Sequence, residues 1–184
     1  MRLRGGRSVT TTIRAFGRLD YAFNNAGISG GVIPLDEYPR ETWDQVMAVN
    51  LTGTWLCMQA EIRHMMKNGG GSILNTASIS GTRGSPNMPA YSVSKWGVIG
   101  MTKAAAKGYG KYGIRVNVVN PGHTEAPMLG ALDDEEKMAR LIKQYPLGRI
   151  GKSNDVAQAV IWLCSDSASY ITGVSLPVEG GATA

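Results

Sequence analysis

The 184-residue sequence predicts an α/β domain in which a parallel sheet carries helices on both faces. Three observations lead there. Strand-like and helix-like stretches alternate, with Gly or Pro between them, and strands separated by long helices pair in parallel. Residues of unusual chemistry fall where strands end: Asn24-Asn25-Ala26-Gly27 after the first, Ser78 after the second, Pro121-Gly122 after the third. Parallel sheets bind their ligands at those carboxyl ends. Finally, 43% apolar and 18% charged residues are ordinary proportions for a chain that buries a core, and the length suits one domain.

Taken in order, Leu19–Asn24 reads as a short strand closed by an Asn- and Gly-rich turn. From about Arg40 to Lys67, Trp43, Val46, Met47, Leu51, Trp55 and Met58 recur at three and four, the spacing of a helix face. Gly69-Gly70-Gly71 stops that helix, Ser72–Ala77 is a buried strand, and Gly81–Pro89 is a loop. A helix is expected from about Ala90 to Lys107, weakened at its end by Gly108 and Gly110, which cost about 1 kcal/mol each relative to Ala. Ile114–Asn120 is a third strand, Asp133–Tyr145 and Asn154–Leu163 are helical, and Ser175–Val178 is a last short strand. No internal repeat and no linker divides the chain.

The formal charge of +5 comes from one place. Arg2, Arg4, Arg7, Arg14 and Arg18 precede every acid, and beyond them basic and acidic residues balance. A nucleic-acid-binding face on the folded part is therefore not expected. No apolar run is long enough to cross a membrane, so no membrane partner is expected. Cys57 and Cys164 are isolated among apolar neighbours, which suits free thiols in a reducing compartment, and the cytoplasm is the expected setting. Two Cys and two His without ligand spacing leave no metal site to expect.

Tyr91 and Lys95 stand four apart near a helix start, so both emerge from one face. A phenol titrates near 10; an ammonium within about 4–6 Å favours the phenolate and lowers that value. Such a pair can give and take a proton in a carbonyl/alcohol interconversion. Taken alone it would be a helix-surface contact, and Ser78 alone a turn cap. Together they suggest more: Ser78 sits at a strand end where its hydroxyl reaches a substrate oxygen, and Asn50 is an amide in mid-helix, free to order water.

These residues, with Phe16-Gly17-Arg18-Leu19-Asp20, Val49-Asn50-Leu51, Gly71-Ser72-Ile73-Leu74-Asn75, Tyr91-Ser92-Val93-Ser94-Lys95, Gly113-Ile114-Arg115-Val116-Asn117, Asn120-Pro121-Gly122 and Ile171-Thr172-Gly173, resemble the classical short-chain dehydrogenase/reductase family. The likeness runs from about residue 13 to the C-terminus, with every block in family order. It implies a Rossmann-type fold, NAD or NADP as cofactor, a small-molecule alcohol or carbonyl substrate, and a homodimer or homotetramer. It further implies Tyr91 as general acid/base, Lys95 lowering its pKa and bonding the nicotinamide ribose, Ser78 holding the substrate oxygen, and Asn50 positioning a water behind Lys95. Asn24, Ala26 and Gly27 would line the ribose side, and the Pro121, Gly122 and Thr124 backbone would border the nicotinamide.

The sequence also departs from that family. The family's opening strand, glycine-rich turn and helix, whose N-terminus cradles the pyrophosphate, has no counterpart, because Gly5-Gly6 lacks both the spacing and the strand. The expectation is a sheet lacking the first three strands, an unmatched basic leader over 1–12, and a single domain over 13–184 with Leu19–Asn24 as an exposed edge. On that basis this chain would hold NAD(P) weakly or not at all. The alternative to an enzyme is a catalytically inactive fragment acting as an assembly partner; an organelle-targeting role for 1–18 has too little room. Ala126 stands where the family has a Thr bonding the carboxamide, and Glu179 where it has an Asp. His123 has two readings, a substrate-facing side chain or a solvent-facing loop histidine, and the second is favoured. Gly151-Lys152-Ser153 imitates a phosphate loop but lacks its first glycine, and Ser153 is expected to cap a helix. The acids of Asp133–Glu136 suit a helix N-terminus better than a metal.

Overall fold

The computed structural model describes residues 5–125 and 135–184. Four strands, β1 (Tyr21–Asn24), β2 (Gly71–Thr76), β3 (Ile114–Pro121) and β4 (Ser175–Val178), form one sheet in the order β1-β2-β3-β4. All three pairings are parallel, with Ala22 opposite Ile73, Ile73 opposite Val116 and Val119 opposite Leu176. The α/β class and the parallel sheet with helices are as expected. β1 is an edge of the sheet, and Tyr21 and Phe23 stand exposed on it.

The alternation of β2 sorts the core. Ile73 packs with Ala22, Met58, Ile62, Met65, Ala105 and Val116 on one face, beneath α3 (Thr54–Met65) and α5 (Pro89–Tyr109). Leu74 turns the other way and joins Val119, Val160, Leu163 and Ala168 beneath α7 (Ser153–Cys164). Arg115 of β3 ties that second layer down, donating to the carbonyls of Leu163 at 2.7 Å and Cys164 at 2.9 Å, the orphan acceptors at the end of α7. Asn117 grips the chain leading into β4, with Nδ2 on the Ile171 carbonyl and Oδ1 accepting from Val174 N–H, each at 3.0 Å.

Three expectations need correction. Residues 5–12, set apart above as a leader, belong to α1 (Gly5–Phe16), which packs on α3 and buries Val9. The uninterrupted helix expected over 40–67 is α2 (Arg40–Val46), a π-helical stretch over Met47–Gly53, and then α3. The 81–89 loop opens with a short helix, α4 (Ser80–Arg83). The Gly69–Gly71 turn has a geometric cause: Gly70 has φ +96°, and a Cβ there would run into the Gly113 carbonyl. A further helix, α6 (Glu135–Ile142), opens with Glu135 and Glu136, acids suited to a helix N-terminus. Ala126, Asp133 and Asp134 lie outside the described residues, among which no group of side chains could hold a metal ion.

Candidate active site

A cavity of about 530 Å³ opens at the carboxyl ends of β1, β2 and β3. Ser78, Tyr91 and Lys95 all line it, delivered by the segment after β2 and the first two turns of α5. Pro89 suits the first turn of α5, where its missing N–H is no loss. Tyr91 and Lys95 then project from one face, with Lys95 Nζ 5.5 Å from the centre of the Tyr91 ring. The Ser78 hydroxyl accepts from Ser80 N–H at 3.1 Å, which fixes its direction beside the phenol.

The electrostatics differ from the expectation for Tyr91. Burial lifts its pKa above 10, and the hydrogen bond with Ser78 draws it only partly back. The phenol is thus held protonated, since Lys95 faces the ring and desolvation wins. Lys95 is itself buried, and its pKa falls to about 8 for that reason. Its ammonium donates to the Thr76 carbonyl at 2.9 Å, the fixed point that aims it.

Asn50 lies in the π-helical stretch and is 1% exposed. Its side chain clamps Ile28, accepting from the backbone N–H and donating to the backbone C=O, each at 2.9 Å, and donates to Ser94 Oγ at 3.1 Å. The carboxamide thereby fastens the turn after β1 to α5. Thr54 Oγ1 donates to the Asn50 carbonyl at 2.8 Å. Gly27 fits tightly into this joint: a Cβ would come within 3.3 Å of Asn50 Oδ1 and 3.4 Å of Lys95 Nζ.

The turn residues divide. Gly27 lines the cavity, as do Pro121, Gly122 and Thr124, whereas Asn24 and Ala26 are not among its lining residues. Asn24 turns inward, donating through Nδ2 to Glu61 Oε2 at 3.1 Å and to Asn75 Oδ1 at 3.0 Å. Its neighbour Asn25 lines the cavity instead, and its Oδ1 accepts from Thr76 Oγ1 at 2.9 Å. Strand alternation explains the exchange, because consecutive side chains point to opposite faces.

Several residues exceed the sequence reading. His123 is half-buried, lines the cavity and bonds the buried Tyr145 hydroxyl, which favours the substrate-facing reading over the solvent-facing one. Burial, and then the nearby Arg83 guanidinium, lower its pKa. Glu61 is 5% exposed, and burial raises its pKa to about 7 against the opposing Asn24 bond. Ser153 does not cap α7; its hydroxyl donates to the Glu125 carbonyl at 3.1 Å, and Asp155 accepts the Lys152 N–H at 2.7 Å in that role.

Comparison with known proteins supports this geometry. Residues 6–183 match the family model described as enoyl-(acyl carrier protein) reductase. The chain is 45% identical over 179 residues to the 2,5-dichloro-2,5-cyclohexadiene-1,4-diol dehydrogenase of Sphingobium indicum, spanning 96% of this chain and 72% of that protein. It is 42% identical over 176 residues to the cyclohexanol dehydrogenase of an Acinetobacter species, spanning 96% and 68%. Among solved structures, NAD+-bound xylitol dehydrogenase superposes with a TM-score of 0.90 at 34% identity, covering 96% of this chain and 74% of that one.

Proposed function

Because this chain belongs to the short-chain dehydrogenase/reductase family, we propose that Tyr91 is its general acid and base, with Ser78, Lys95 and Asn50 in support. The chain is an oxidoreductase that transfers a hydride between NAD(P) and a secondary alcohol or ketone. One observation carries the assignment of residues: the Tyr91 phenol, the Ser78 hydroxyl and the Lys95 ammonium converge on a single cavity at the strand ends.

The residues present suit a nicotinamide nucleotide. Lys95 uses one donor on Thr76 and keeps others for ribose hydroxyls. Gly27 leaves room beside that ammonium, and Pro121–Thr124 also line the cavity. Asn24 and Ala26 contribute through the course of the turn rather than by lining the cavity. When bound, the nicotinamide supplies the hydride acceptor or donor.

In reduction, Tyr91 gives its phenolic proton to the carbonyl oxygen as that oxygen gains negative charge, while the Ser78 hydroxyl donates to the same oxygen. In oxidation, the tyrosinate takes the alcohol proton as the hydride leaves the same carbon. The raised pKa favours the acid form at neutral pH. Lys95 moderates the tyrosinate once formed. Asn50 keeps turn and helix in register, its side-chain amide engaged with the Ile28 backbone and Ser94 Oγ.

The two curated relatives act on ring alcohols by name, and the cavity offers Ile79, Met88 and Val156 as apolar wall. Six-membered ring alcohols and ketones are therefore the substrate class. Half-exposed Trp55 of α3 and Trp96 of α5 support a homo-oligomer, and the free thiols Cys57 and Cys164 support a cytoplasmic setting. No helix among the described residues is long and apolar enough to cross a membrane. All described strands share one sheet, which supports a single Rossmann-type domain.

The test is turnover of cyclohexanol and cyclohexanone with NAD(H) and NADP(H), followed by nucleotide absorbance. Tyr91→Phe should lower it at least about 10²-fold, in the range general acid–base catalysis supplies. Undiminished turnover would refute the assignment.

A further inference from the structure

Among the described residues, the charged side chains lining the cavity are of one sign. Arg83 and Lys95 are the charged residues of its wall, His123 joins them, and no Asp or Glu among the described residues lines it. Lys95 already has its place beside Tyr91, but Arg83 does not.

Arg83 ends α4, on the connection that also carries Ser78 and Tyr91. Its Nη1 donates to the Ala182 carbonyl at 3.2 Å, which ties the guanidinium to the C-terminal segment. Among the described residues its remaining donors have no acceptor. Five other arginines are satisfied: Arg18, Arg40, Arg140 and Arg149 hold Asp20, Asp44, Glu136 and Asp155, and Arg115 is surrounded by carbonyls, whereas Arg83 alone of the described arginines lines the cavity. A guanidinium fixed at one corner presents the rest of its planar fork, the shape that a carboxylate matches with two parallel bonds.

His123 adds a second polar group. The Tyr145 hydroxyl accepts the His123 backbone N–H at 2.9 Å and also bonds its ring Nδ1. In the tautomer whose Nδ1 accepts from that hydroxyl, the imidazole carries its proton on Nε2, a neutral N–H donor in the same wall as Arg83. The lowered pKa of His123 agrees with a neutral ring.

We propose that the cavity selects an alcohol or ketone carrying an anionic substituent, a carboxylate, which Arg83 and His123 hold while the reacting carbon faces Ser78 and Tyr91. The inference rests on the active-site reading above, and it adds a discriminating end to the substrate. The competing source of negative charge is a cofactor phosphate.

Calorimetry on the full chain with NADH present separates these cases, using 4-oxocyclohexanecarboxylate and its neutral twin 4-oxocyclohexanecarboxamide. The carboxylate should bind at least about tenfold tighter, the scale of hydrogen bonds to charged groups. Arg83→Gln should abolish that preference while leaving amide binding within about twofold, and Arg83→Lys, a point charge without the fork, should restore only part of it. Thermal melts of both variants establish that they fold. Equal binding of the two ketones, no binding of either, or a preference that survives Arg83→Gln would overturn the proposal. So would an Arg83→Gln effect confined to NADH or NADPH affinity, which would assign the anion to the cofactor. Turnover of neutral ring ketones without carboxylate preference would leave the hydride-transfer reading standing and this one refuted; preference without turnover would do the reverse.

Discussion

Glu61→Gln should flatten the pH dependence of stability and make the protein more stable above neutrality. The Glu61 carboxyl is buried on α3, accepts a hydrogen bond from Asn24, and has its pKa raised from 4.5 to about 7 by burial. Below about pH 4.5 the group is protonated whether the chain is folded or not, so it adds no pH dependence. Between about 4.5 and 7 the folded state holds the proton and the unfolded chain releases it, so stability falls as pH rises. Above about 7 both forms are ionised and the loss is complete. A rise from 4.5 to about 7, at roughly 1.4 kcal/mol per pH unit, bounds that loss at about 3 kcal/mol. Gln keeps an acceptor for Asn24 and cannot ionise. Urea unfolding followed by Trp fluorescence, at intervals from pH 4.5 to about 8.5, should show the two proteins converging at the acid end. Near pH 8 the variant should lead by about 1–3 kcal/mol. A difference that stays constant across the range would refute the reasoning, because side chains common to both proteins cancel in the comparison.

Two further substitutions probe the site. Lys95→Met should abolish turnover and remove a rise in stability that the native protein shows from about pH 8 to 10.5, where the unfolded chain binds the proton and the folded chain, its Lys95 pKa lowered to about 8, does not; unfolding curves in that window measure it, and identical slopes would count against a buried ammonium. Asn50→Leu strands the Ile28 N–H and C=O and should cost about 2–4 kcal/mol by chemical denaturation; a loss below about 0.5 kcal/mol would mean the clamp is dispensable.

The strands and long helices were legible because their signals are local. A buried run such as Ile73-Leu74 followed by Ser78 states both a strand and its end, and Tyr91 and Lys95 need only helical spacing to share a face. What stayed hidden depends on partners far along the chain. The inward turn of Asn24 is decided by Glu61 and Asn75, 37 and 51 residues away, so its identity as a cavity or a core residue could not be read from the turn. His123 is drawn to the cavity wall by Tyr145, 22 residues on. The π-helical stretch left no mark in the apolar spacing, since Val46, Met47 and Leu51 fit an α-helix equally well. Arg83 could have been noticed as a cation between Ser78 and Tyr91, but only the cavity shows that no acid among the described residues accompanies it. Blocks such as Gly113–Asn117 and Ile171–Gly173 do structural work, with Arg115 and Asn117 holding α7 and the approach to β4.

The π-helical stretch bears on how this chain tolerates change in length. Each residue of an α-helix turns it by about 100°, so α2 and α3, written as one rod, would be locked in a single rotational phase. The wider turn over Met47–Gly53 breaks that lock. α2 can then face its own neighbours while α3 presents Met58, Ile62 and Met65 to the sheet, and Asn50 sits at the point where the phase changes. Removing one residue there would restore a regular helix and rotate everything on one side of it by about a quarter turn, carrying Asn50 away from Ile28 or Met58 away from the core. A deletion at this joint would therefore act as a rotation rather than a shortening.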